Sequence, residues 1–302
     1  MEYYQIYQNF FKYYDKYYKS LVFADEYRLK SNSSCKLFVY NYNFEIENFS
    51  KTFNYYLPFY IENYDSIIHY DVNDEFLLKK SKELWNKWVS RKSPRNSGIF
   101  GEVLLDFYNR IYCNNNIFVG YMIKNYYGNM EELKGIDVSG CYVDENGVLE
   151  LILSEAKFVT TLSNAKNKLI DDINGSYGHL NEKVINEYCA ISLKKVPLES
   201  RERCERVRDC LNSLNRKMIR ENKNFITAMN ELGYKFKFVY FAVYKSTKKD
   251  PNKISKDYKE ILNVFEDTIK NTSIVNFSIE IVFIPTNNKS VDIKEKMVEV
   301  YG

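Results

Sequence analysis

The feature that most constrains this chain is the run GIDVSGCYVDENGVLELILSEAKF, residues 135–158. Two apolar stretches, Gly135–Val143 and Val148–Phe158, flank Asp144-Glu145-Asn146-Gly147. Asn-Gly supplies the left-handed backbone that a tight turn demands, so the run reads as two antiparallel strands joined by a hairpin. Asp137 falls in the first strand. The second climbs through Leu149–Leu153 and ends on Glu155-Ala156-Lys157. Side chains alternate along a strand, so Glu155 and Lys157 share a face. A buried charge without a partner is costly, and neither residue suits a hydrocarbon core.

An acid and a lysine so placed, facing Asp137 on the neighbouring strand, make chemical sense around a divalent cation. Mg²⁺, with Mn²⁺ as a substitute, takes oxygen ligands and keeps several waters. Asp137 and Glu155 would supply two carboxylates, and the carbonyl of Ala156 a third oxygen. Lys157 would stand beside a metal-bound water, to orient it, to deprotonate it or to stabilise developing phosphate charge. The expected chemistry is phosphodiester hydrolysis, with Asp137, Glu155 and Lys157 catalytic. The chain has only two histidines, His69 and His179, so a three-histidine metal site is excluded. Both histidines read as structural.

The flanks give the architecture. SGIFGEVLLDFYNRIYC (97–113) reads as a helix capped by Ser97 and running to about Tyr112. Glu102 borders its apolar stripe of Ile99, Val103, Phe107 and Ile111. From there it either reaches the metal or a bound water, or forms a solvated edge paired with Arg110. Ile117–Tyr127 reads as a strand, residues 160–174 as a helix, and 180–232 as helical. FKFVYFAVY (236–244) and VNFSIEIVFIP (275–285) read as strands, with a crossover helix at about 255–270. Upstream, LFVYNYNFEIENF (37–49) alternates like a strand, and SKELWNKWVSR (81–91) reads as a short helix. Tyr3, Tyr7, Phe10, Phe11, Tyr14, Tyr17 and Tyr18 recur at helical spacing, in a helix that either packs on its own domain or binds a partner. The turn-rich KSPRNSG (92–98) marks a boundary. Residues 1–95 would form an aromatic-rich α+β region, and 96–302 an α/β domain with a mixed sheet flanked by helices.

The 302 residues carry a formal charge of +3 and are 45% hydrophobic, which excludes both wholesale disorder and a uniformly basic coat for nucleic acid. Charge is instead local. Between Ser192 and Lys223 stand ten basic and five acidic side chains, either a phosphate-gripping strip or a salt-bridged exposed helix. Lys166 and Lys168 follow the Glu-Ala-Lys strand, where they either touch a nucleic-acid backbone or lie on a solvated helix face. The abundance of Tyr (28) and Phe (20) fits an AT-rich coding genome. The six cysteines form no C-x-x-C pair, so no zinc ribbon is expected. With no signal peptide and no membrane-length apolar run, free thiols in a reducing cytoplasm are the expectation.

Helix, strand, hairpin, strand, helix, with Asp on one hairpin arm and Glu-x-Lys on the other, resembles the PD-(D/E)xK nuclease superfamily. That resemblance implies a restriction-endonuclease-like core of order αβββαβ. The leading Pro of the pattern is replaced here by Ile136. A longer stretch resembles a narrower family. Gly-Glu-x-x-Leu at 101–105, Lys-Gly-x-Asp at 134–137 and Glu-x-Lys at 155–157 are similar to HamA, the nuclease subunit family of the Hachiman anti-phage defence system. The resemblance, strongest over 97–175, implies a DNA nuclease effector with Glu155 and Lys157 as the catalytic pair. It also implies a HamB-like helicase partner that couples DNA sensing to release of the nuclease. Two other readings remain open: a restriction-like fold that only binds or assembles, and a stand-alone restriction or repair nuclease.

Overall fold

The computed structural model describes residues 23–28, 35–40, 46–61, 73–86, 98–112, 119–121, 137–175, 180–186, 201–246, 250–288 and 290–299. The aromatic helix expected at 3–18, both histidines, Ile136 and most of the 92–98 break lie outside them. So do all but 119–121 of the strand expected at 117–127.

A seven-stranded mixed sheet organises the chain. In chain order its strands are β1 (Phe23–Arg28), β2 (Cys35–Tyr40), β3 (Val119–Tyr121), β4 (Val138–Val143), β5 (Leu149–Val159), β6 (Lys235–Lys245) and β7 (Phe277–Thr286). Across the sheet they run β1-β2-β7-β6-β5-β4-β3. The middle four, β2-β7-β6-β5, are parallel, and antiparallel pairs close both sides. Strands from both sides of residue 95 thus join one layer. β6 is buried at every position except its ends, and it reads KFKFVYFAVYK because a strand covered on both faces is mostly apolar, its one buried charge, Lys237, being paired with Glu280 of β7 at 2.8 Å.

Helices with both ends among the described residues include α1 (Ile46–Ile61), α2 (Asp74–Leu84), α3 (Ile99–Tyr112), α4 (Leu162–Asn174), α5 (Arg201–Arg220), α6 (Phe225–Glu231), α7 (Pro251–Ile269) and α8 (Ser290–Val298). Local chemistry explains their starts. Thr161 accepts from Asn164 N at 3.2 Å to open α4, and Asp250 accepts from Lys253 N at 3.1 Å to open α7, with Pro251 in the first turn. Two apolar cores lie on opposite faces of the sheet. One joins Leu149, Leu151 and Leu153 of β5 to α4, α5 and α7; the other joins Ile152 and Ala156 to α1, α3 and α8. The order α3, β3, β4, β5, α4 and then β6 follows the expected αβββαβ succession, with α5 and α6 inserted before the last strand.

Two expectations need correction. The strand read over 37–49 ends at Tyr40, and Ile46 opens a 16-residue helix that contains Pro58. That helix buries Phe53, Tyr56, Leu57 and Tyr60, so its aromatics answer to a helical stripe where alternation had suggested a strand. The helix read over 81–91 begins instead at Asp74, where Asn73 accepts from Phe76 N at 2.8 Å.

Candidate functional site

The site grows out of a fork between β4 and β5. Their pairing ends at Val138↔Ser154, with a last bond from Asp137 N to Ser154 O at 3.1 Å. β5 continues to Val159, so its final residues leave β4 behind. At that fork the Ala156 N–H donates to Asp137 Oδ2 at 2.9 Å. The N–H and C=O of a strand residue project to the same edge, so the Ala156 carbonyl also faces the Asp137 side. The hairpin that sets this register turns at Gly147, whose φ of +80° is the left-handed geometry expected of Asn-Gly.

Glu155 and Lys157 point to the α4 face, as their spacing requires. The Glu155 carboxylate, 6% exposed, takes an ion pair from the Lys157 ammonium and lies within hydrogen-bonding reach of Asp137. Asp172 of α4 completes the group, its Oδ2 2.7 Å from Lys157 Nζ. One ammonium therefore stands among three carboxyl groups. Burial raises the Asp137 carboxyl well above the usual range, and the charges of Glu155 and Glu102 add to it. Burial likewise pushes Glu155 up to about 7; Lys157 opposes this and Asp172 reinforces it. Burial alone would lower the Lys157 ammonium, but Glu155, Asp137 and Asp172 outweigh it and hold it above its ordinary value. Tyr240 of β6, in register with Glu155, has its phenol raised by burial and by the charges of Glu155 and Asp172.

On the opposite face α3 approaches β5 closely. A Cβ on Gly101 would meet the Ala156 Cβ at 3.0 Å, so the absent side chain lets the helix reach the strand. Asn109 Nδ2 donates to Ser154 Oγ at 2.9 Å and anchors the same contact. This seating turns the first turn of α3 toward the fork. Glu102 is half-buried and accepts from Tyr60 Oη at 2.8 Å, and its charge is felt at Asp137. It is therefore held by a buried tyrosine, and the described residues do not show it on a solvated edge.

Asp137, Glu155, Ala156, Lys157 and Glu102 are thus gathered at one fork. Asp172 belongs with them and was not anticipated, because an acid in LIDDIN looks like any acid on an exposed helix. The two candidate phosphate contacts divide. Lys166 is committed to α7, with an ion pair to Glu260 and Asp257 at 3.5 Å, while Lys168 is exposed. Among the described residues no three His, Cys, Asp or Glu side chains form a metal-holding group. The donor set at the fork is two carboxylates and one main-chain carbonyl. It still fits a divalent cation, because burial and mutual charge oppose the ionisation of these two adjacent carboxyls and a positive ion between them would relieve both.

The model of the HamA family matches residues 16–299. The chain belongs to the HamA family. Membership makes it a Hachiman defence component. The matched span takes in all seven strands and the whole fork, so the family and the site coincide along the chain. No curated protein and no solved structure matches the chain. Cys35 and Cys141 are buried and Cys210 is half-buried, all three as free thiols. Among the described residues no helix is long and apolar enough to cross a membrane.

Proposed function

We propose that this HamA-family chain is a Mg²⁺-dependent DNA nuclease of restriction-endonuclease-like type, the effector of a defence complex with a helicase subunit. One observation carries the reading. The carboxyl group of Asp137, in the bend one residue before β4 where the sequence had suggested a strand position, meets that of Glu155 on β5 where the pairing of the two strands ends, with Lys157 at the same place.

In this reading Asp137, Glu155 and the Ala156 carbonyl would hold the cation, and Glu102, whose charge reaches Asp137, would receive a proton from its water shell. A divalent cation held there would supply a water of lowered pKa and offset the charge of the scissile phosphate. Hydrolysis adds a water oxygen to phosphorus, breaks one phosphorus–oxygen ester bond and leaves an alkoxide that must gain a proton. Lys157, kept protonated by its three acidic neighbours, suits charge stabilisation at the phosphate better than abstraction of a proton. Asp172 is a positioning residue that fixes the amine from the helix side. Tyr60 does the same for Glu102.

The test uses the purified full chain, alone and with a HamB-like helicase, on plasmid DNA with Mg²⁺ or with chelator. Metal-dependent cleavage is expected in wild type. It should be lost in Glu155→Ala and Lys157→Ala while both variants still bind the helicase. Equal cleavage by wild type and both variants would show that the fork is not the active site. Binding to the helicase with no cleavage by any form would favour a non-catalytic assembly module.

A further inference from the structure

The basic stretch around α5 reads from sequence as either a phosphate-gripping strip or a salt-bridged helix, and the structure divides those two characters along the helix. Its inner side is fixed in the core by Val207, Leu211 and Leu214, all buried. Outside, the earlier turns are salt-bridged: Arg208 lies 3.7 Å from Glu205, and Asp209 follows it. Beside the later turns, Lys217 and Lys223 both reach Glu231 of α6, at 3.0 and 2.5 Å, and Lys217 also reaches Glu221 at 3.6 Å. Those cations are neutralised.

From Cys210 to Arg220 the sequence has no acid. Asn212, Asn215, Arg216, Ile219 and Arg220 are spaced three and four apart, so they share the side of α5 turned from the core. Together they line an open cleft of about 330 Å³. Arg216 and Arg220 are exposed, and neither has an acidic partner among the described residues. Ile219 is 79% exposed.

The chemistry of the lining selects the occupant. All four polar side chains can donate hydrogen bonds, and none is anionic. A guanidinium fork meets two phosphate oxygens at once, and an Asn amide adds a further donor. One aliphatic side chain gives no hydrophobic centre of the kind a protein interface is built on, yet it suits the apolar edge of a sugar. Arg216 and Arg220 are about 6 Å apart along the helix axis, comparable with the step between neighbouring phosphates of one strand.

We infer that Asn212, Asn215, Arg216, Ile219 and Arg220 form a nucleic-acid-binding surface that takes the sugar–phosphate backbone of one strand. It lies at the hairpin end of the sheet, opposite the fork. Cys210 Sγ of the same helix is 3.9 Å from the Gly147 carbonyl at the hairpin turn, and Lys217 is tied to Glu231, just ahead of β6, whose first residue pairs with Glu150. From Gly147 to Glu155 the strand climbs about 26 Å. The inference therefore stands whether or not the fork cuts DNA.

The experiment measures fluorescence anisotropy of a labelled single-stranded DNA, and of an RNA of the same sequence, bound to the full chain under chelator over a series of salt concentrations. The forms compared are wild type, Arg216→Gln, Arg220→Gln, the double variant, and Arg208→Gln, which removes a charge from the same helix where Glu205 already balances it. All three arginines are exposed and Gln is a good helix former, so the variants keep their fold, which matching thermal melts verify. Each single change in the cleft should weaken both probes about tenfold at low salt. Each should also make the salt dependence shallower by about 0.7, and the double by about 1.4, while Arg208→Gln stays near wild type. Wild-type affinity and salt slope in the double variant would overturn the proposal. So would an equal loss in Arg208→Gln, or a wild type that binds neither probe. If the double variant keeps its nucleic-acid binding but no longer co-purifies with a HamB-like helicase, the face takes a protein and the proposal is equally overturned.

Discussion

Replacing Glu155 with Gln gives the sharpest physical test of the fork, because it separates the cost of the site from its activity. Burial lifts the Glu155 carboxyl from 4.5 to about 7. Each tenfold change in proton affinity is worth ~1.4 kcal/mol, so ionising this group costs the folded chain on the order of 3 kcal/mol. The sign follows from the raised value. The folded state prefers the protonated form, so the penalty is absent below the unfolded value, grows as pH rises, and is complete above about 7. Gln cannot ionise and does not incur it. It also relieves Asp137, part of whose elevation comes from the Glu155 charge. In chelator the variant should melt close to wild type near pH 5 and above it near pH 8. At roughly 2 °C per kcal/mol the gap should be about 6 °C. Mg²⁺ near pH 8 should then raise the Tm of wild type, since a ligand bound only by the folded state stabilises it, and should leave Glu155→Gln nearly unmoved. Differential scanning calorimetry at the two pH values, with and without Mg²⁺, reads all four quantities. A variant that melts below wild type by the same margin at both pH values, or a Mg²⁺ gain equal in both proteins, would refute the idea that two crowded buried carboxyls await a cation.

Other perturbations test the scaffold. Gly101→Ala places a methyl 3.0 Å from the Ala156 Cβ, so α3 must shift off β5. A loss of ~1–3 kcal/mol in chemical denaturation is expected, together with a larger loss of cleavage than the stability change explains, because Glu102 moves with the helix. Tyr56→Phe removes the hydroxyl that donates to the buried Asp106 carboxylate at 2.5 Å and should cost ~1–3 kcal/mol by urea unfolding. Lys237→Met leaves the charge of Glu280, its buried partner at 2.8 Å across β6 and β7, with a long bond from the Tyr108 hydroxyl at 3.4 Å and no cation beside it, and should cost ~3–5 kcal/mol. Changing Glu280 to Met as well should recover much of that, a coupling a double-mutant cycle would measure. Asp172→Asn should leave the melting temperature within ~2 °C of wild type and yet lower kcat more than it raises KM, as expected of a residue that positions Lys157.

The parts of the fold legible in the sequence were those whose signals are local. The Asn-Gly turn fixed the β4–β5 hairpin, and the hairpin fixed which acids meet. Strands β6 and β7 announced themselves as mainly apolar, aromatic and β-branched runs, and α7 as the stretch between them. What escaped depended on partners far away in sequence. Nothing local tells that Phe53, Tyr56 and Tyr60 follow a helical stripe, since Tyr and Phe are so frequent here that alternation arises by chance. Asp172 was hidden for a related reason: its meaning comes from Lys157 on another element, and its own neighbours are ordinary helix residues. Lys294 is a comparable case, a lysine in SVDIKEKMV whose burial against two rings only the packed sheet reveals.

The sheet also has a consequence for how the chain is made. β2, built from residues 35–40, finds its parallel partner only in β7, residues 277–286, on the order of 240 positions later. At ~5–20 residues per second a ribosome needs tens of seconds to deliver that partner. Until then the side of β2 destined for β7 has no mate, and an open strand side of Cys-Lys-Leu-Phe-Val-Tyr invites wrong company. A translational stall or a premature stop would yield a protein lacking its last parallel strand and prone to clump, so chaperone dependence during synthesis should be greatest for this half-finished chain.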